Sequence, residues 1–423
     1  MSRPVITWRP APRLGRLAAA AVITIGAAIV TRHAGFLLLA APALGALAVT
    51  SRRGEPAEMT VAVEASAPRC FEGEEVGISV TLTSPVVLDE ISFRLEVAPT
   101  VALVSPAATQ GVVGEAGARG EWVVRPGRWG HRSPGVVHVR CRSGGGTWQA
   151  GLAEPGAAME IFPHPPPAGA QLVPADLLRR IGDHAARTAG AGIEFSGIRG
   201  YLPGDRLRDM NWAVSSRRGE LHVNQRSALR AADLVLVVDA FSEVGPAGDS
   251  TLDVAVRGVA ALATAHLRTG DRVGVVALGG VLRWLGPAAG ARQFYRIAEM
   301  VFDVRRDSVV TPDLDRIPRT ALPPGALVIL FSPLLDERAL GAVTDLRERG
   351  LAVIVVNVLR YEPPALSRLP VSGLALRLWR LDRVALSRTL ARLGVPLLDW
   401  EAGAGLDAVL SPVRRLPQRA GRP

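Results

Sequence analysis

With 423 residues, 48% hydrophobic and 21% charged, the chain has apolar material for two or three domains with cores of their own, which excludes disorder as its default state. Its formal charge of +10 would ordinarily suggest nucleic acid or an anionic surface, but all 49 basic residues are Arg in a chain rich in Ala, Gly, Pro and Val. That pattern reads as a GC-rich coding bias, and a nucleic-acid role is set aside.

Residues 17–31 (LAAAAVITIGAAIVT) and 34–50 (AGFLLLAAPALGALAVT) carry no charge and are separated by Arg32 and His33. About 20 residues are needed to cross a hydrocarbon core of about 30 Å, so each run spans only if flanking arginines snorkel and the bilayer thins. Arg13 and Arg16 precede the first run, and Arg52 and Arg53 follow the second. By the positive-inside rule, segment 1–55 is then a transmembrane hairpin in the cell membrane, with both ends and everything beyond residue 55 in the cytoplasm. The rival is a secretory signal cleaved near Ala46-Leu47-Ala48; the interruption at Arg32-His33 and the amount of apolar sequence argue against it.

Segment 56–165 alternates with period two in runs such as EISFRLEVAP and GVVHVRCRS, punctuated by Gly, Pro and Ser. This predicts antiparallel strands with one buried face, arranged as a small β-sandwich-like domain. His131 and His138 fall on a predicted turn and strand and read as surface or half-buried histidines rather than ligands. Cys70 and Cys141 lack a CxxC or a His pair at ligand spacing, so they read as core thiols rather than zinc ligands. FPHPPP, residues 162–167, is a stiff exit.

Segment 231–411 changes pattern. Apolar runs such as ADLVLVVDA, DRVGVVAL, GALVILFSP and LAVIVVNVL alternate with amphipathic stretches. The expected fold is α/β, a doubly wound, mostly parallel sheet covered on both faces. Ligands bind such sheets at the carboxyl ends of the strands, here near Asp239 and Ser332. Order and spacing resemble a von Willebrand factor type A domain, whose metal-ion-dependent adhesion site uses Asp-x-Ser-x-Ser, then Thr, then Asp. Asp239 matches the leading Asp, but the Ser positions are Phe241 and Glu243, and Pro333 stands where the later Asp would follow Ser332. Only Asp239, Glu243 and Thr311 remain as weak metal candidates. Phe and Pro offer no side-chain oxygen to a hard cation, so the site is degenerate, no cofactor is expected, and Mg²⁺ is not part of the leading reading.

Segment 166–230, which precedes it, contains GIEFSGIRGYLPGDRLRDMNW, residues 192–212. Glu194, Arg199, Tyr201, Asp205, Arg208, Asn211 and Trp212 stand out there. Pro203-Gly204 predicts a tight turn, and Asp205 can accept from amides just beyond it. The interleaved charges suggest a clasp of paired groups. A hydrolase built on Glu194 and Asp205 is a lesser alternative, because adjacent arginines lower the carboxylate pKa that acid catalysis needs raised. Arg199, Arg206, Arg208, Arg217 and Arg218 could instead receive acidic or phosphate groups.

This stretch resembles the signature of domain-of-unknown-function family 58. The resemblance extends to a membrane hairpin, a β-rich segment and a von Willebrand A-like domain in that order. It implies a bacterial membrane protein associated with a MoxR-type AAA+ ATPase. The expected function is a membrane-anchored, non-enzymatic adaptor for protein binding. A metal-dependent binding module with an atypical site around Asp239 is the alternative. Residues 412–423 read as a basic tail.

Overall fold

A computed structural model of the chain describes residues 5–6, 8–50, 57–84, 88–106, 108–111, 118–165, 194–202, 205–227, 233–302, 304, 317–362, 370–401 and 404–414. The chain divides into two compact units, Met1–Pro163 and His164–Pro423.

In the first unit, helix α1 (Pro12–Thr31) starts with Pro in its first turn, where the missing N–H costs nothing, and ends at Arg32 in the left-handed region with φ 52°. Helix α2 (Gly35–Thr50) follows at once and holds Pro42 inside it. The α1 helix is long and apolar enough to cross a membrane, whereas α2 is a shorter apolar helix. Val22, Ile23, Ile29, Val30, Leu37, Leu38 and Leu39 face outward from the pair, the reverse of a water-facing helix surface.

The rest of the unit is β-structure. Strands β4 (Thr60–Ala65), β6 (Val76–Thr83), β10 (Ala118–Pro126) and β8 (Val101–Leu103) form an antiparallel sheet in that order. A second sheet runs β2 (Arg9–Pro10), β13 (Trp148–Pro155), β12 (Gly135–Ser143), β7 (Glu90–Val97) and β9 (Ala108–Gly111). A third has β11 (Gly130–Arg132), β14 (Met159–Phe162) and β5 (Arg69–Phe71), the last two parallel. Alternating residues of β6 and β7 point into a core that includes Met59, Ile78, Phe93, Trp122 and Ile161. Cys70 and Cys141 are buried free thiols, as their isolation suggested. His131 lies in β11 rather than in a turn, and His138 in β12 faces Glu96 at 3.0 Å.

Residues 5–6 and 8–10 belong to the β-structure rather than to a leader of the hairpin: β1 (Val5–Ile6) pairs antiparallel with β3 (Ala57–Glu58), and β2 pairs with β13. Trp8 between them is 4% exposed and sits in the same core. Ala11 N–H donates to Thr147 C=O at 2.8 Å, just before α1 begins. The hairpin therefore leaves and re-enters one β-domain, and both its ends are held there.

In the second unit, β15 (Glu194–Gly200) pairs antiparallel with β16 (His222–Ser227). Between them lie a 3₁₀ turn (Leu207–Asp209) and helix α3 (Trp212–Arg218). A six-stranded sheet follows in the order β19 (Arg283–Ala288), β18 (Arg272–Leu278), β17 (Asp233–Asp239), β20 (Leu327–Ser332), β21 (Ala352–Asn357), β22 (Leu397–Asp399). All pairings are parallel except β18 with β19 at one edge. Every residue of β20 is buried, as expected for an apolar strand covered on both faces. The first strand is central, so the chain winds outward one way and then the other, and the order switches between β17 and β20.

Helices α4 (Thr251–Arg268), α5 (Ala291–Phe302), α6 (Glu337–Glu348), α7 (Pro370–Arg392) and α8 (Leu406–Arg414) alternate with these strands. Ser250 caps α4 in a capping box with Asp253. Gly258 of α4 lies against Phe331 and Trp400, where an added Cβ would come within 2.7 Å of the Trp400 ring. This unit is the mixed α/β domain that the strand pattern predicted.

Candidate functional site

The signature segment is a two-stranded ribbon closed by ion pairing. Arg199, on β15, donates from both terminal nitrogens to Asp205: Nη2 to Oδ1 at 2.6 Å and Nη1 to Oδ2 at 2.7 Å. Asp205 Oδ2 also accepts from the Leu202 amide at 2.9 Å, so one carboxylate holds both a guanidinium fork and the loop backbone. The Arg199 hydrogen bonds, then the Leu202 amide, hold the Asp205 carboxyl below its ordinary range. Such a group is a poor general acid. The turn expected at Pro203-Gly204 falls outside the described residues.

Asn211 organises the other side. Its Oδ1 accepts from Val214 N–H at 3.1 Å and caps α3, while its Nδ2 donates to Asn224 Oδ1 at 2.8 Å across to β16. Ser215, buried and not singled out from the sequence, donates to Asn211 C=O at 2.8 Å and accepts from the His222 amide at 2.8 Å. Tyr201 donates its amide to Leu221 C=O, continuing the ribbon. Glu194 stands opposite Ser227 in β15, and the surroundings of its side chain lie outside the described residues.

The same frame leaves large apolar groups outside. Trp212 is 63% exposed, Leu207 71% and Leu202 60%, with Ile198 and Leu221 also exposed. Arg206, Arg208, Arg217 and Arg218 are exposed around them. Trp212 thus faces solvent rather than a local core. Leu202 and Leu207, which no motif marks, join it on the surface.

The second place is the switch point of the large sheet. Asp239 ends β17 and is 1% exposed. Its Oδ2 accepts from the Ser332 hydroxyl at 2.5 Å and its Oδ1 from the Phe241 amide at 3.0 Å. Burial pushes its pKa up to about 6, opposed by those two hydrogen bonds; Asp336 pushes the same way as burial, and Arg338 against it. Ser332 Oγ in turn accepts from the Leu334 amide at 2.8 Å. The Arg338 guanidinium pairs with Asp336 at 2.8 Å and lies 4.1 Å over the Phe241 ring, so the cation beside Asp239 is one of the chain's own side chains.

The other metal candidates are engaged elsewhere or not described. Glu243 Oε1 lies 2.5 Å from Ser250 Oγ, at the cap of α4, and Thr311 lies outside the described residues. Among the described residues no group of three or more His, Cys, Asp or Glu side chains could hold a metal ion. Asp239, Ser332 and Glu243, among the described residues, spend hydrogen bonds on protein partners and do not form the converging set of several oxygen ligands that a hard cation needs. Along the same strand ends, Asp249 pairs with Arg360 at 3.0 Å and accepts from Tyr361 at 2.5 Å, and Asn357 bonds Asp399 at 2.7 Å. The carboxyl edge of the sheet is knitted by its own side chains.

Comparison with known proteins matches parts of the chain. Uncharacterized proteins of Mycobacterium bovis and of two Mycobacterium tuberculosis strains are each 37% identical over 114 residues, 26% of this chain and 36% of theirs. The chain thus covers about a third of the length of those curated relatives. A crystal structure of the cupredoxin domain of amoB from Nitrosocaldus yellowstonii aligns over 27% of this chain and 95% of its own, at 11% identity and a TM-score of 0.17, which supports no argument. Residues 197–376, from the Arg199–Asp205 clasp into helix α7, match the family described as "Protein of unknown function DUF58".

Proposed function

We propose that this chain is a membrane-anchored, non-enzymatic adaptor that docks a protein partner through the signature segment. The observation that carries the reading is the combination of a rigid frame and an exposed apolar face. Arg199–Asp205 and Asn211–Asn224 fix the ribbon, and Trp212, Leu207 and Leu202 stand in water with arginines around them. An aromatic anchor, aliphatic neighbours and Arg are the composition of a protein-binding hot spot. The partner that suits it offers apolar side chains among carboxylates. The resemblance to family 58 supplies its class, a MoxR-type AAA+ ATPase.

The anchor is the α1–α2 hairpin. What supports two spans is that its ends return to one β-domain through the Val5↔Glu58 and Trp148↔Pro10 pairings, which an even number of crossings allows. Arg13 and Arg16 beside the start of α1, with Arg52 and Arg53 after α2, favour cytoplasmic ends. The sheet order, with a central first strand and one antiparallel edge, suits a von Willebrand A-like domain, and the internal Arg338 favours binding without a bridging cation.

The test is capture of the full-length protein from native membranes, parent against Leu207→Asp and Trp212→Ala. The reading expects the ATPase with the parent and its loss with either variant. An ATPase captured equally by all three would remove the signature face from the account.

A further inference from the structure

Helix α7 is apolar on two sides. Its inner side packs into the α/β core through Leu386 and the fully buried Leu390, and Arg383 donates inward to Leu334 C=O at 2.7 Å. At 100° per residue the opposite side carries Leu374, Leu378, Leu381 and Ala385, spaced four, three and four apart in one stripe. The three leucines are 58%, 55% and 64% exposed. Arg377 and Arg388 border the stripe and Arg392 lies beyond its end, all exposed and without an ion pair among the described residues. Asp382 is the acidic residue on its other border.

We propose that α7 lies in the interface of an anionic membrane, with the leucine stripe among the upper acyl chains and Arg377, Arg388 and Arg392 on lipid phosphates. A stripe of leucines edged by arginines is the pattern of an interfacial helix, because long basic side chains keep their charge at headgroup level while their stems cover apolar surface. The charge selects this occupant over a second copy of the chain, which would set Arg377 and Arg388 of both copies along one seam. The inference rests on the hairpin reading, since a chain anchored by α1 and α2 holds α7 at high effective concentration near a bilayer.

The test reconstitutes the full-length protein in nanodiscs of neutral or anionic lipid with an environment-sensitive dye at Leu378→Cys, and separately at Arg388→Cys and at Glu348→Cys on α6. Native Cys70 and Cys141 are buried with thiols pushed up to about 11, so the introduced thiol labels selectively. The expected result is quenching by lipid-borne quenchers at positions 378 and 388 but not at 348, stronger in anionic discs. Replacing Arg377 and Arg392 with Gln in the Leu378→Cys protein should weaken the interfacial state about fivefold per arginine. A dye at position 378 open to a water-soluble quencher, or shielded from it without lipid quenching, would overturn the proposal, the second outcome assigning the stripe to a protein. Equal lipid quenching at all three positions would overturn it too. Failure of the hairpin reading shows differently, as protein that does not enter the discs whichever residue is labelled, and it would remove the proposal's basis as well.

Discussion

The Ser332 hydroxyl donates to the buried Asp239 carboxylate at 2.5 Å and so ties the ends of the two parallel strands between which the sheet changes direction. In an open α/β sheet this is where a ligand would enter. Here Asp239 spends its oxygens on Ser332 and the Phe241 amide.

Asp239 makes stability fall toward neutral pH. Its folded pKa of about 6 lies above the ordinary 3.8, so the folded chain holds the proton more tightly than the unfolded one. The associated stabilisation is full below the unfolded value and is lost as pH rises through about 6. Asp239→Asn keeps an acceptor for Phe241 and removes the charge. It should stabilise the α/β unit by about 1 to 3 kcal/mol at about pH 8 and by much less at about pH 4. Denaturant unfolding of the detergent-solubilised protein at both pH values measures this; a loss of stability at the higher pH would show that the carboxylate is favourably charged.

The clasp should act locally. Asp205→Asn or Arg199→Lys removes the fork geometry, and cleavage within 200–210 by a low dose of protease should speed up while unfolding of the large sheet stays put. The Asp205 carboxyl is held low, chiefly by Arg199, so in the parent this protection should persist on acidification until pH falls through that depressed value.

Trp8 fastens the segment before the hairpin. Trp8→Ala should destabilise the β-domain by about 3 to 5 kcal/mol through the cavity it leaves. Its indole Nε1 is buried with no partner among the described residues, so Trp8→Phe gives up no hydrogen bond seen there and should cost well under half as much. Thermal unfolding followed by the domain's tryptophan fluorescence would separate the two, and equal losses would contradict the packing account.

Gly258 sets the spacing of α4 over β20. In Gly258→Ala the new methyl meets Phe331 and the Trp400 ring, and overpacking of this kind costs about 1 to 3 kcal/mol. A shift of that size in unfolding midpoint is expected, with no change in membrane association.

Much of the fold was legible because burial imposes period. Continuous apolar runs such as LVILFS marked covered parallel strands, and alternation in VGISVTLT marked half-buried ones. The charge clasp was legible from Arg199 and Asp205 lying six apart around a Pro-Gly pair. Strands β1 and β2 were not, since two residues are too few to show a period, and Trp8 takes its place only through pairing with segments about 50 and 140 residues away. Nor could sequence show that Trp212 faces water, because exposure depends on whether a neighbouring element covers it. The role of Arg338 was hidden for the same reason: its place beside Asp239 comes from α6 following the next strand of the sheet.

Docking through the signature face without a bridging metal ion can be read out by crosslinking. The most direct measurement places a photo-crosslinking residue at Leu207 in the full-length protein and irradiates native membranes with and without EDTA. The expected result is an adduct to an AAA+ ATPase of equal yield in both conditions, lost when Trp212→Ala is added. An adduct that forms only without the chelator, or one made solely with exported or envelope proteins, would contradict it.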